Sequence, residues 1–460
     1  MPWRCSQQGP IRCANGGSVV SLMSRSIAPA ISLRTLEYCA IILFLLMFSQ
    51  ALLGRLFASE ENPEGGAFLR YIWLPIYGYA VLALALRWRN FLTILLRSPG
   101  LTIICLMAVA SMLWSIDPGT SLRRGIAIFF TTMFGFYIAS ALSWREMITI
   151  LGIVWIILGI GNFLAGALVP GFGVMHEIHV GAWRGLWFEK NAMGGNFARA
   201  AFIFGFLLMM DKHRRKIWGF GFILSVMLVL LSTSKTSLLG MLLGFGVLVL
   251  YLWMQQGKLV TVSTLWLILA SSLAATFVVI LAPEVLVKII GRDLTFTGRT
   301  YIWEVLIDLI GQRPVLGYGY GAFWGEYSAP ANMVRTITEW PVPTAHNGII
   351  EVALAIGWLG VAIFLFDFVL NFFRAAFTVH KRPTSLFALG IFLLFVLFSI
   401  SESVIMQQNS LAWVSYSAIV GRLSIDARER VEAARRVKSP PREISNPLDL
   451  PVPALRGRLR

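Results

Sequence analysis

Four cations and one imidazole have the types and settings in this 460-residue chain that suit chemistry: Arg184 in WRG, Lys190 in EKN, Lys235 in STSKTS, Arg299 in TGR and His346 in PTAHNG. The cations come from three polar stretches, each beside the expected end of an apolar run. A charge so close to hydrocarbon is costly unless it reaches headgroups or meets a partner. Snorkelling accounts for any one of them. As a glycine-flanked set on one side they suit a pyrophosphate, because guanidinium grips phosphate oxygens in a fork and ammonium adds a point charge. His346 has Asn347 beside it and Glu351 about a turn and a half further on. Imidazole titrates near neutrality and so takes a proton from a hydroxyl; the plainer reading is a hydrogen-bonded structural histidine. His176 and His179 form only H-x-x-H, without the H-E-x-x-H frame or third ligand of a zinc site. Arg199 lies roughly 10 Å inside an expected span and must face the bundle or a wet cavity. Support of a phosphate site and structural pairing are equally open for it. Asp367, the other conspicuous charge within a span, is expected at an interface.

The elements that must position these groups follow from composition. The chain is 57% hydrophobic and 13% charged, with mean hydropathy +0.73; soluble proteins carry about 25% charged residues. An all-α membrane protein of about twelve transmembrane helices is expected. The apolar windows lie at 36–54, 68–86, 99–115, 124–142, 147–169, 192–210, 217–231, 236–254, 261–282, 347–371, 385–402 and 408–421. The net charge of +16 is spread over the gaps between them, which fits orientation by cytoplasmic basic residues and not a nucleic-acid surface. Residues 87–98, 211–216 and 372–384 are basic gaps, so both termini are expected in the cytoplasm. Segments 170–191, 231–237 and 283–345 then lie outside; Arg123 and Arg124 fit this orientation poorly. The expected divisions are an N-terminal tail 1–35, a membrane domain 36–422 including the outer loop 283–345, and a disordered tail 423–460. Within the loop, Ile302, Val305, Leu306, Leu309 and Ile310 recur at helical spacing, which predicts an amphipathic helix lying on the membrane. GYGYGAFWGEY after it suits tight turns and interfacial rings. No P-loop, GxGxxG after a strand, GxSxG or D-x-D pair occurs, which argues for a donor already activated on a lipid rather than a nucleotide sugar.

WRGLWFEKNAMG at 183–194, STSKTSLLG at 232–240, TGRTYIW at 297–303, PVLGYGYG at 314–321 and AHNGIIEVALAIGWLG at 345–360 occur in this order. Together they resemble the O-antigen ligase and exopolysaccharide polymerase superfamily. The resemblance implies a bacterial inner-membrane glycosyltransferase of GT-C-like fold, needing no metal or other cofactor. It implies an undecaprenyl-diphosphate-linked glycan as donor, a glycan or the lipid A core as acceptor, membrane lipid as surroundings and work on the periplasmic face, with a polysaccharide assembly complex as a further partner. Arg184, Lys235 and Arg299 would bind the donor pyrophosphate, joined by Lys190, and His346 would activate the acceptor hydroxyl; Asn191, Asn347, Glu351 and Arg199 would support. Two departures stand out: Glu189-Lys190-Asn191 where the family commonly has H-K-N, and Lys235 where it commonly has Arg. Segments 183–194 and 345–360 look closer to the polymerase branch than to the ligase. The rivals are a lipid-linked sugar transporter or flippase, which would place polar groups at the midplane of paired halves, and an inactive partner in an assembly complex.

Overall fold

The computed structural model describes residues 32–438 apart from 52, 58–66, 178, 265, 268–269, 271–298 and 380–381. Its described residues are helical throughout the apolar runs. In chain order the helices are α1 (Leu33–Phe48), α2 (Leu53–Phe57), α3 (Ala67–Leu86), α4 (Trp88–Arg97), α5 (Pro99–Ala110), α6 (Pro118–Ala141), α7 (Trp144–Leu168), α8 (Pro170–Gly173), α9 (Lys190–Met210), α10 (Arg215–Leu231), α11 (Lys235–Met254), α12 (Arg299–Gln312), α13 (Ala329–Thr338), α14 (Gly348–Ala376), α15 (Pro383–Ser401) and α16 (Leu411–Lys438). Each expected span coincides with a helix except 261–282, which falls mostly outside the described residues. Among the described residues six helices are long and apolar enough to cross a membrane: α6, α7, α9, α11, α14 and α15. The protein is a multi-pass, all-α membrane protein.

Two elements differ from expectation. Residues 87–98 are not a plain basic gap: α4 is an amphipathic helix bent 96° from α3, its buried Thr93 and Ile94 facing the bundle. Helix α16 runs on to Lys438, past the expected boundary at 422, with Ser424, Ile425 and Asp426 buried. Trp144 Nε1 donates to Asp426 (2.8 Å), and Arg422 pairs with it at 3.0 Å, which anchors this extension.

Helix α9 packs against α10 and α11, and α16 against α6. Aromatic side chains fill the centre: Phe364, Phe395, Trp413 and Tyr416 lie ring against ring. Asp367, expected at an interface, is covered by its neighbours and 1% exposed, its carboxylate accepting from Asn371 Nδ2 at 3.0 Å.

Helix α14 is broken. Ile356 and Gly357 leave helical geometry, Gly357 at φ 72°. The freed groups bond to the glycine-rich stretch: Tyr318 N–H donates to the Leu354 carbonyl (2.7 Å), Gly319 N–H to Ala355 (3.0 Å), and Trp358 N–H to Pro314 (2.8 Å). A break inside an apolar helix is tolerated only where neighbouring groups satisfy the backbone again, and residues 314–319 supply those groups. A Cβ at Gly357 would stand 1.9 Å from the Val315 carbonyl oxygen, so close approach and positive φ both demand glycine there. Arg124 Nη1 donates to the Gly321 carbonyl (2.8 Å), which gives this poorly fitting cation a structural partner.

Candidate active site

The first half of α14 and helix α12 together fix the position of His346. Asn347 caps α14, its Oδ1 accepting from Ile349 N (3.0 Å) and Ile350 N (3.2 Å). Glu351, one turn in, accepts from Ala345 N (3.0 Å), from Trp324 Nε1 (2.9 Å) and from Ser403 Oγ (3.4 Å). From the other side Trp303 Nε1 of α12 donates to the Ala345 carbonyl (2.9 Å). The helix predicted over 300–314 is thus α12; it buries Ile302, Leu306, Leu309 and Ile310 and packs on α14. These bonds clamp the chain on both sides of His346, which adopts φ 48°. A left-handed non-glycine residue costs on the order of 1–3 kcal/mol and persists only where its surroundings impose it, as functional sites do. The Trp340 ring lies parallel to the imidazole, 5.8 Å between centroids and 5° between planes. Neither ring nitrogen has a hydrogen-bond partner among the described residues.

Arg299, the first residue of α12, reaches the same point. Its guanidinium donates to the Ser401 carbonyl and lies 3.6 Å from Glu402 Oε1. The other oxygen of Glu402 is 3.6 Å from His346 Nδ1. One carboxylate therefore stands between the two residues that sequence reasoning ranked highest, although 46 positions separate them (346 − 299 is 47, less one).

Glu402 also lines a cavity of about 320 Å³ with Trp187, Asn191, Arg199, Thr344 and Gln407. Its walls mix aromatic and polar side chains, Phe48, Phe188 and Phe398 among the former. Arg199 enters from α9. Its Nη2 donates to Asn196 Oδ1 (2.9 Å) and its guanidinium lies over the Phe398 ring at 5.0 Å. Its Nε and Nη1 are buried with no hydrogen-bond partner among the described residues. A buried guanidinium without a bonded carboxylate is costly, so the structural-pairing reading of Arg199 loses ground to an anion-binding one.

The remaining cations are grouped differently. Lys190 Nζ lies 3.5 Å from Thr233 Oγ1, in the turn that precedes Lys235. Lys190 is thus at the cavity edge, between the lining residues Glu189 and Asn191. Lys235 is exposed at the start of α11, which Ser234 caps. Close packing joins these two stretches: a Cβ at Gly194 would lie 2.5 Å from both Ser232 Oγ and Ser237 Oγ. Arg184 turns elsewhere. Its Nε donates to the Phe172 carbonyl (3.2 Å), the carbonyl that Arg55 also uses. Burial, and then the Arg184 charge, hold Arg55 below its ordinary pKa. His176 Nε2 lies 3.3 Å from the Pro170 carbonyl. Burial, then the Lys190 charge, depress His179, which places that histidine within reach of the lysine.

Sequence reasoning missed Glu402 and Arg55. Glu402 left a signal: it is the only acid between Asp367 and Asp426 and stands at the end of an apolar run. Arg55 left none, because its partner is a backbone carbonyl far along the chain.

Comparison with known proteins agrees with the motif resemblance. Residues 220–365 match the model of the O-antigen ligase family. The chain is 24% identical over 348 residues to the exopolysaccharide production protein ExoQ of Rhizobium meliloti, covering 71% of this chain and 77% of that one. It is 26% identical over 165 residues to a protein of Rickettsia conorii named as a candidate polysaccharide ligase, covering 35% of this chain and 39% of that one. The family match spans α11, α12 and the first part of α14, and so includes Arg299 and His346.

Proposed function

We propose that the protein is a periplasm-facing glycosyltransferase that takes a glycan from an undecaprenyl-diphosphate donor and joins it to an acceptor sugar. The single observation that carries this reading is the meeting of His346 and Arg299 on Glu402, a carboxylate that lines one cavity with Asn191 and Arg199. The O-antigen ligase match supports the polysaccharide class. The basic gaps at the opposite end of the bundle support an outward-facing site.

The chemistry is a direct displacement at the anomeric carbon, with inversion. His346 takes the proton of the attacking hydroxyl. Arg299 stabilises the charge that grows on the departing diphosphate, with Arg199 facing the same cavity. Lys190, at its edge, and Lys235, exposed at the start of α11, screen the charge of the incoming donor. Arg184, turned toward Arg55, contributes field rather than contact. Donors preorganised around a growing charge are worth about 3–4 kcal/mol each, and general-base help about 10²–10⁴-fold. No residue of this scheme calls for a metal or a nucleotide.

Polymerisation of an exopolysaccharide is favoured over ligation, since the longer of the two matches is to an exopolysaccharide production protein. The test is reconstitution in liposomes with a polyprenyl-diphosphate-linked repeat unit, with and without lipid A core. Polymer from the repeat unit alone supports the polymerase, and transfer only to the core supports the ligase. Movement of the lipid-linked sugar across the bilayer with no new glycosidic bond would overturn the transferase reading in favour of a flippase.

A further inference from the structure

We propose that Glu402 is the positioning residue for His346, holding the proton on Nδ1 so that Nε2 faces the acceptor hydroxyl as a base. The inference rests on the transferase reading above and assigns a part to a residue outside its catalytic pair. An imidazole works as a base through one nitrogen only when the other is held as a donor, and a carboxylate beside it both fixes that tautomer and stabilises the imidazolium formed.

The groups around His346 leave this task to one carboxylate. Glu351, on α14, is the other acid within electrostatic range, but its oxygens already accept from Ala345 N, Trp324 Nε1 and Ser403 Oγ. Trp340 stacks on the ring face and holds its plane. Arg299, from α12, lies 3.6 Å from Glu402 Oε1, and Arg199, from α9, lines the cavity that Glu402 also lines. Glu402, at the end of α15, points Oε2 at Nδ1 across 3.6 Å. That gap is longer than a hydrogen bond, and the proposed contact requires the two atoms to close to about 2.7–2.9 Å.

Glu402 is shared with Arg299 in this structure. A donor diphosphate seated on the Arg299 guanidinium competes with Glu402 for it and leaves the carboxylate to the imidazole. During the transfer the acceptor O–H proton passes to Nε2. The hydroxyl oxygen's electron pair forms the bond to the anomeric carbon as the carbon–oxygen bond to the diphosphate breaks. The breaking bond's electron pair leaves on the diphosphate, beside Arg299. His346 ends as imidazolium, with Nδ1–H donated to Glu402, and the Nε2 proton then passes to water.

The experiment measures turnover against pH, and affinity for a non-transferable phosphonate analogue of the donor, in reconstituted full-length protein. The variants are Glu402→Gln, Glu402→Asp, His346→Ala and the His346→Ala/Glu402→Gln pair. Glu402→Gln is expected to lower turnover by on the order of 10²-fold while analogue affinity is unchanged or rises, because the Arg299 guanidinium loses a competing anion. The acid limb of its pH profile moves to lower pH, since the imidazolium loses a neighbouring anion. Glu402→Asp keeps the charge, and with it the wild-type position of that limb, at reduced turnover. In the His346→Ala background the glutamine change costs nothing further. A Glu402→Gln protein with wild-type rate and profile overturns the proposal, as does an equal loss with and without His346; if that variant does not fold, an acid limb displaced in Glu402→Asp overturns it instead. A wild-type protein that forms no glycosidic bond removes the transferase reading itself, which separates the two failures.

Discussion

The two ends of the helix bundle treat their charges in opposite ways. At the end where α7 begins, cations meet carboxylates. Arg34 pairs with Glu37 (2.9 Å) and Glu146 (3.0 Å), Arg87 with Glu37, and Arg422 and Arg382 with Asp426. At the end where α14 begins, one carboxylate, Glu402, stands between Arg299 and His346, and among the described residues Arg199 hydrogen-bonds only an amide. Matched charges hold helices in register. A surplus of buried cationic donors around one acid is poorly matched to the protein alone and well matched to an arriving polyanion. On the proposed function, the first is a structural end and the second the working end.

The comparison breaks most readily at its strongest point. Arg299→Ala is expected to reduce transfer by about 10²–10³-fold, the cost of losing a charge-stabilising donor, and to damage activity at least as severely as His346→Ala. Initial rates of polymer formation at equal membrane levels check this; full-length polymer made at the normal rate by both variants sinks the assignment. Next comes an exchange between the ends. Asp426→Ala leaves Arg422 (16% exposed) without its nearest carboxylate, and breaking such a buried pair costs about 3 kcal/mol. Its thermal unfolding should fall well below that of the wild type, with transfer by the folded fraction intact. Arg199→Met should do the reverse, keeping the unfolding temperature and lowering donor affinity by about tenfold, the worth of roughly 1.4 kcal/mol. If both variants lose stability alike, the contrast between the ends fails.

Smaller effects sharpen the picture. Gly357→Ala forces a Cβ against Val315 and should cost on the order of 1–3 kcal/mol. Limited proteolysis between 313 and 328 would show the loosened latch as faster cleavage. Lys235→Ala should lower the rate only a few-fold, with the loss shrinking at high salt, because an exposed charge acts through a screened field. A salt-independent loss as large as that of Arg299→Ala would place Lys235 in contact with the donor.

How much of this was legible in the sequence differs by kind of feature. The apolar helices were, because a 20-residue apolar run has few other destinies, although six of them, against about twelve expected, are long and apolar enough to cross a membrane among the described residues. His346 and Arg299 stood out as candidates, because each stands in a short polar motif near the expected end of such a run. The turn-forming reading of GYGYG was right in kind, but its purpose was hidden. Residues 347–371 read as one apolar span, and nothing in that run announces that Gly357 breaks the helix and that 314–319 bond to the break. Glycine motifs that invite a catalytic reading here lock one helix to a loop. The role of α4 was obscured by Arg87, Arg89 and Arg97, which mark a polar gap by charge while Thr93 and Ile94 pack inward. The burial of Asp367 was hidden because span position says nothing about which neighbour covers it: Gly100 lies against its side chain. The convergence on Glu402 was least legible of all, since it joins residues 299, 346 and 402 through three-dimensional approach alone.

The most direct measurement is the position of the donor diphosphate in a structure of the protein bound to a phosphonate analogue of the lipid-linked glycan. The account predicts phosphate oxygens at about 2.7–2.9 Å from the Arg299 guanidinium, in the cavity lined by Asn191 and Arg199, with the anomeric carbon turned toward His346. A diphosphate bound instead among Arg374, Arg382 and Arg422, or between Arg55 and Arg184, contradicts it.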